Sequence, residues 1–342
     1  SSSSAASDVY KRQVLYEVER DLFEFLDDKG PEFVQRKMIT ANKDTQLHML
    51  WVSEILETNM LDKFLPKEVC ANLEDVVWHT SCYDKSYFDG FENRYPNNTV
   101  KCWPWYFLFA SKLHTLNMNN AKHTADKLFC CMNYKPRLHR KVMMDKLAKY
   151  NLMDNYITWH TPPMPSSPIG NVYQKWGMFN DLMDTLIEPK YDYKHWEPTY
   201  LTFDSEWHQY SVPNEIGKSA INLVTETDHD RPFITEKTWN PILWGKSFII
   251  MGNTGIHKHL VNQGFKLPDV IDYSFDSEDN LDKRCDMIAK ELKRLSSFDV
   301  VWLQKELAET ERHNKLHANE LMESIKIPEI IHKTYQDLLN LG

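Results

Sequence analysis

No apolar run in this 342-residue chain approaches the roughly 20 residues a membrane-spanning helix needs. The first residues show no charged-then-apolar signal pattern either. Both absences point to a cytoplasmic protein. The six cysteines (Cys70, Cys82, Cys102, Cys130, Cys131 and Cys285) form no CxxC pair and no metal-ligand spacing. They read as reduced, buried thiols. Cationic charge is also short: 40 basic side chains against 49 acidic ones leave a formal charge of -9. Such a chain is a poor fit to a protein whose main task is to grip a nucleic-acid backbone, although a local basic groove stays compatible with it. No internal repeat occurs. What is present suffices for packed interiors, with 42% hydrophobic and 13% aromatic residues excluding a disordered protein. The length is more than one core usually takes, so two domains are expected.

Residues 1–13 stand apart. Ser1 to Ala6 is of low complexity, and Asp8 to Gln13 (DVYKRQ) back-translates to GATGTGTATAAGAGACAG, which looks like a transposon end used in sequencing libraries. A translated adapter from a metagenomic contig, or a disordered tail, is therefore expected over 1–13. From Val14 to Asp28 the pattern suits a strand or a helix. The apolar runs Gln46 to Val52 and Asp75 to His79 read as buried strands with a helix between them. Lys101 to Leu113, with Trp103, Trp105 and Tyr106, reads as core rather than as a base-stacking platform. The polar stretch His114 to Asp126 marks a domain boundary, giving a first domain over 14–120 and a second over 121–277. The second opens with a strand at Lys127 to Met132 and a helix at Arg140 to Tyr150. A proline-rich loop follows at Thr161 to Pro168, then strands at Ala220 to Thr225 and Ser247 to Met251, with helices after Thr235 and from Ile256 to Gln263. Strands alternating with helices predict a parallel sheet. Residues 278–342 read as C-terminal helices, at Leu281 to Leu295, Val300 to Ile325 and Pro328 to Leu341.

In such a sheet, ligands lie at the carboxyl ends of strands, where helix N-termini offer N–H groups to phosphates. Two segments qualify: the loop from Thr225 to Lys237, and Gly252-Asn253-Thr254-Gly255. The first holds Glu226, Arg231, Glu236 and Lys237. A lysine can neutralise a diphosphate, and a carboxylate can accept both hydroxyls of a ribose. The same residues would also suit a solvated helix start with Thr235 as its N-cap.

The order of residues narrows this. The stretch INLVTETDHDRPFITEKTWNPILWGKSFIIMGNTGIHKHL resembles the donor-binding segment of the alpha-1,3-fucosyltransferase family. That family carries a Phe-Glu-Asn step on a strand and, ten residues after its glutamate, a Tyr-Val-Thr-Glu-Lys step opening a helix. Here Glu226 and Glu236 keep that spacing, and Thr235, Glu236, Lys237 and Trp239 fall on the corresponding positions. NYKPRLHRKVMMDKL is similar to an upstream segment of the family and aligns its arginine with Arg140. Three positions depart: Phe233 replaces a tyrosine, Thr227 an asparagine, and Pro241 falls inside the helix, which it should kink or shift. The resemblance implies that Glu236 holds the ribose, that Lys237 and Arg140 face the diphosphate, and that Glu226 lies near the transferred sugar. Two cations then stand where other enzymes use a metal, so Asp228-His229-Asp230 reads as a loop and no metal or cofactor is expected. His257 and His259 have metal-pair spacing but face apart on a helix.

An inverting transfer also needs a general base for the acceptor hydroxyl. The family keeps a glutamate after a first-domain strand in a Gly-Glu step, and Ser53-Glu54 is the nearest equivalent, with Asp84, His79 and Glu57 as rivals. The implied protein is α/β and GT-B-like: two Rossmann-like domains with a cleft between them, plus C-terminal helices. Its implied activity is inverting, metal-independent glycosyl transfer from a nucleotide sugar, with GDP-fucose as candidate donor, to a glycan or other hydroxyl acceptor. A bacterial or phage source suits it. The alternatives are a phage DNA-base glycosyltransferase and a catalytically dead nucleotide-sugar-binding or assembly protein.

Overall fold

The computed structural model describes residues 12–17, 45–51, 76–116, 124–133, 137–158 and 214–326. These divide between Trp103 and Pro104 into two compact units. Among them no helix is long and apolar enough to cross a membrane.

The first unit is a four-stranded, all-parallel sheet in the order β1-β2-β3-β4, with β1 at Arg12–Glu17, β2 at Thr45–Trp51, β3 at Val76–Thr80 and β4 at Asn98–Cys102. Strands of a parallel sheet are covered on both faces and therefore read as unbroken apolar runs. This is the character of VVWHT in β3, which is buried throughout, and of QLHMLW in β2. β4 alternates buried Asn98 and Val100 with exposed Thr99 and Lys101, as an edge strand does. A 3-10 turn (Lys85–Phe88) and the short helix α1 (Asp89–Arg94) make the crossover from β3, burying Phe88 and Phe91. Glu92 Oε1 accepts the edge-strand amide of Val100 at 2.7 Å. Of residues 1–13, Arg12 and Gln13 belong to β1, paired with Thr45 and Gln46, and the others lie outside the described residues.

The second unit holds another all-parallel sheet, ordered β6-β5-β7-β8, with β5 at Lys127–Cys131, β6 at Tyr156–Ile157, β7 at Ser219–Thr225 and β8 at Ser247–Met251. The chain is thus α/β with parallel sheets, as the alternation of elements predicts. Its helices are α2 (Trp105–Leu116), α3 (Leu138–Lys149), α4 (Asn214–Lys218), α5 (Glu236–Trp244), α6 (Ile256–Asn262), α7 (Leu281–Leu295) and α8 (Val300–Ser324). α2 follows the compact-unit division and packs on α5, so the aromatic run that includes Trp105 and Phe107 is core of the second unit.

α3 and α7 pack together beside the sheet. Met143, Leu147, Cys285, Ile288 and Leu292 share one apolar cluster with Phe129, Cys131, Ile221 and Ile249. Adjacent strand residues point to opposite faces, and Cys130 accordingly leaves that cluster and packs with Ile216 and Trp244. α8 buries a stripe at Leu303, Leu307, Glu311, Asn314 and Ala318, spaced for one helical face. Its two polar members are used: Glu311 accepts the Ser247 amide, and Asn314 bonds both the N–H and the C=O of Lys266. α5 runs through Pro241 and ends on Gly245, whose φ of 69° lies in the left-handed region that favours glycine. The proline removes one helical N–H but leaves Thr235 as the N-cap, so the helix start is where the sequence places it. The expected helix between β2 and β3, the loop Thr161 to Pro168 and the helix Pro328 to Leu341 lie outside the described residues.

Leu147 is fully buried between α3, α7 and the sheet. Leu147→Ala should cost about 2–5 kcal/mol of stability, the range for a leucine whose cavity cannot collapse. Urea denaturation measures it, and a loss below about 1 kcal/mol would show that this helix pair is not part of a closed core.

Candidate functional site

In the second sheet β5 leads to β6 on one side, and β7 returns on the other, so strand order reverses between β5 and β7. A crevice opens at the carboxyl ends of strands at such a point. Three strand ends are tied together there. The Asn133 amide donates to Thr158 Oγ1 at 2.8 Å, and Thr158 Oγ1 donates back to the Asn133 carbonyl at 3.1 Å. Thr225 Oγ1 donates to Asn133 Oδ1 at 2.6 Å. The sequence reading missed Asn133 and Thr158. Their signal is a polar residue one or two positions after a buried strand.

Glu226, the next residue after β7, is 0% exposed. Its Oε1 accepts from the Thr235 amide (3.1 Å) and from Thr238 Oγ1 (2.6 Å). Its Oε2 accepts from the Thr227 amide (2.9 Å) and from Thr235 Oγ1 (2.7 Å). Four donors satisfy the buried carboxylate, which is the condition for keeping one away from water. Its side chain packs beside Gly252, where an added Cβ would come 3.5 Å from Glu226 Cβ and 3.0 Å from Ile256 Cδ1. The carboxylate is thus turned into the loop 227–235 and holds that loop against the start of α5.

The cations surround this loop. Arg140, 3% exposed, donates through Nη2 to the carbonyls of Thr225 (3.3 Å) and Glu226 (3.1 Å). Burial, then repulsion from Arg137, pushes its guanidinium down to about 9, against the pull of Glu226 and Glu236, so it remains a cation at neutral pH. Arg137 Nη1 donates to the Thr227 carbonyl. Lys237 Nζ donates to Glu236 Oε1 (2.8 Å), Thr227 Oγ1 (3.2 Å) and Thr235 Oγ1 (3.3 Å). Burial opposes ionisation of Glu236, but the charge and hydrogen bond of Lys237, with help from Arg140, hold its carboxyl below the usual range. Arg140, Glu226, Thr235, Glu236 and Lys237 therefore lie together at the carboxyl end of β7. They differ in access: the side chains of Glu236 and Lys237 keep 24% and 32% exposure, whereas Arg140 and Glu226 are enclosed. Phe233 is buried and meets Tyr106 edge to face, with ring centroids 5.6 Å apart, so the hydroxyl missing from this position would have had to leave the core.

The ligand atoms of Asp228, His229 and Asp230 lie within 4.8 Å of one another, close enough for a metal ion. Asp228 is already engaged, however. Oδ1 accepts the amides of Asp230 and Arg231, and Oδ2 accepts Arg231 Nη1 at 2.6 Å. The segment is a turn closed by Arg231, and a metal on Asp228 would share that carboxylate with the guanidinium. His229 stacks on His139 at 5.0 Å, and His139 Nε2 bonds the Glu226 carbonyl. His257 is buried, with Nδ1 on Asp276 Oδ1 at 2.7 Å and Nε2 accepting the Ile250 amide, which makes it a clasp between β8 and α6.

Of the candidate bases, Glu54 and Glu57 lie outside the described residues. Asp84 caps the 3-10 turn, accepting the amide and the hydroxyl of Ser86. His79 sits in a buried chain. The indole N–H of Trp103 can only donate, so His79 Nδ1 accepts it at 2.8 Å. His79 Nε2–H then donates to His48 Nδ1 at 2.9 Å, and His48 Nε2–H donates to Gln46 Oε1 at 2.9 Å. Both ring nitrogens of His79 are occupied, and its neutral form is required.

Two predictions follow from these contacts. Burial, then His48 and Lys101, lowers His79 from 6.5 to about 3. Its contribution to stability is complete above pH 6.5 and is lost as pH falls from 6.5 towards 3, by up to about 1.4 kcal/mol per pH unit. His79→Gln, which keeps an acceptor for Trp103, should flatten the acid limb of a stability–pH profile, and an unchanged limb would contradict the neutral chain. Glu226→Gln turns an NH2 group towards donors and should cost about 1–3 kcal/mol. Hydrogen exchange at the Thr227 and Thr235 amides should accelerate in that variant; unaltered protection would show that the loop is held by something else.

Comparisons with protein-family models and with curated proteins found no match. Among solved structures, the chain is similar to a crystal structure of the α,α-trehalose 6-phosphate synthase of Burkholderia multivorans, at 10% identity and a TM-score of 0.42, over 92% of this chain and 70% of that one. What the site can bind follows from its own geometry.

Proposed function

We propose that the chain is a glycosyltransferase that binds the diphosphate of a nucleotide sugar at the carboxyl ends of β5 and β7 and transfers the sugar, with inversion and without a metal ion, to a hydroxyl acceptor. One observation carries this reading: Arg140, Glu236 and Lys237 come together at the point where strand order reverses. Cations at such a crevice suit a diphosphate. Lys237, the more exposed of the two cations, contacts the phosphates, and Arg140 adds charge from beneath the loop. The carboxylate of Glu236 accepts ribose hydroxyls. Glu226 reaches the ligand through the loop it holds, since its four acceptor positions are filled.

In the reaction, the acceptor oxygen forms a bond to the anomeric carbon as the bond from that carbon to the diphosphate oxygen breaks. The electron pair leaves with the nucleoside diphosphate, where cations stabilise the developing charge. The acceptor proton passes to a general base, and Glu54 is the residue we assign to it. GDP-fucose is the first donor to test, and a glycan the first class of acceptor.

Calorimetric titration with GDP and GDP-fucose, with and without EDTA, tests the proposal. Binding should survive the chelator, and Lys237→Ala should weaken it by about tenfold or more, as loss of a charge-assisted bond does. Glu54→Gln should lower turnover roughly 100-fold while leaving GDP affinity unchanged. Absence of nucleoside-diphosphate binding, or binding only with added manganese, would overturn the reading.

A further inference from the structure

Of the other four cations of α7, Lys293 is exposed to solvent and the remaining three have carboxylate partners. Lys283 pairs with Glu278, Lys290 with Asp286, and Arg294 with Glu291. Arg284, 3% exposed on the same helix, makes no direct ion pair with a carboxylate among the described residues, although Glu278 feels its charge. Its Nη1 donates to Thr254 Oγ1 at 2.7 Å and its Nη2 to the His229 carbonyl at 3.2 Å, while buried Nε has no acceptor among the described residues. Taking a charge out of water without a directly paired counter-charge is costly, and surface-helix cations normally avoid it. The two groups Arg284 touches lie on the two segments that flank the candidate site. His229 is in the loop held by Glu226, two residues from Thr227, to which Lys237 and Arg137 also bond. Thr254 is in the turn after β8, whose Gly252 packs on Glu226.

We propose that Arg284 sets the anion affinity of this site: its buried charge, delivered by a helix outside the strand–helix alternation, is balanced by the diphosphate of the ligand. The proposal rests on the diphosphate reading above and adds a cation that neither spacing nor resemblance marks. A purely structural role would need only the hydrogen bonds to Thr254 and His229. A role in anion binding needs the charge.

The experiment is titration of the full chain with inorganic pyrophosphate and with GDP, alongside thermal unfolding without ligand. Arg284→Gln, which removes the charge, should weaken both ligands by roughly tenfold or more. Arg284→Lys, which keeps the charge but loses the fork, should bind within about threefold of the original chain while its unliganded melting temperature falls as in the Gln variant. Should Arg284→Gln not fold, Arg284→Met provides the same loss of charge with an apolar side chain of similar volume, a replacement that buried ionic sites often tolerate. Unchanged affinity in the Gln or Met variant, or equal loss in the Lys variant, overturns the role of Arg284 and leaves the diphosphate site standing. If the original chain binds neither pyrophosphate nor GDP, the diphosphate reading itself is overturned, and Arg284 falls with it.

Discussion

A carboxylate cut off from water must be met by donors on every side, and at Glu226 those donors come from one short stretch of chain. Thr227, Thr235 and Thr238 supply two amides and two hydroxyls. Because each of these bonds is needed, the loop between β7 and α5 can close in few ways. Thr235 is committed twice, as partner of Glu226 and as N-cap of α5. The direction of α5, and with it the positions of Glu236 and Lys237 in its first turn, follows from a residue that itself presents nothing to solvent. Gly252 completes the arrangement by leaving room for the glutamate side chain.

The outer ring of the site is built differently. Arg137 and Arg140 donate to the carbonyls of Thr225, Glu226 and Thr227 at the end of β7. Backbone carbonyls have dipoles but no net charge, so these contacts orient the guanidinium groups without cancelling them. Glu226 and Glu236 offset part of the charge on Arg140, yet burial and its arginine neighbour dominate. A net charge of -9 over the whole chain is therefore a poor guide to the potential at one strand end.

Much of the second unit was legible because its signals are local. SFIIM is an apolar run bounded by Lys246 and Gly252, and the sequence places β8 at Ser247–Met251, where it is found. α7 and α8 likewise begin at Leu281 and Val300, where the sequence places them, and the structure caps them with the side chains of Asn280 and Asp299. β4 was not legible: NTVKC carries only a half-buried alternation, and its pairing with β3 is a long-range fact. The 3-10 turn and α1 are short, and their Phe88 and Phe91 are core residues without a helical repeat long enough to register. At the site, the residue types and their order were legible, but orientation was not. The resemblance implies that Glu226 lies near the transferred sugar, but nothing in the order of residues says that three threonines close by in the chain take up its carboxylate.

Orientation at the site also depends on the packing of α3 against α7. Lys146 reaches Asp282 at 2.7 Å, Lys149 reaches Asp286 at 2.7 Å, and Tyr150 Oη donates to Asp286 as well, so the polar edge of α3 is fastened to α7. Exposed pairs of this kind contribute little energy singly. Their effect is on register, because the apolar contacts of Met143, Leu147, Ile288 and Leu292 are tolerant of small slides and the ion pairs are not. α3 carries Arg140 and α7 carries Arg284, so the same register places both buried guanidinium groups. A helix that lies outside the alternation of strands and helices thereby takes part in shaping the charge at the strand ends.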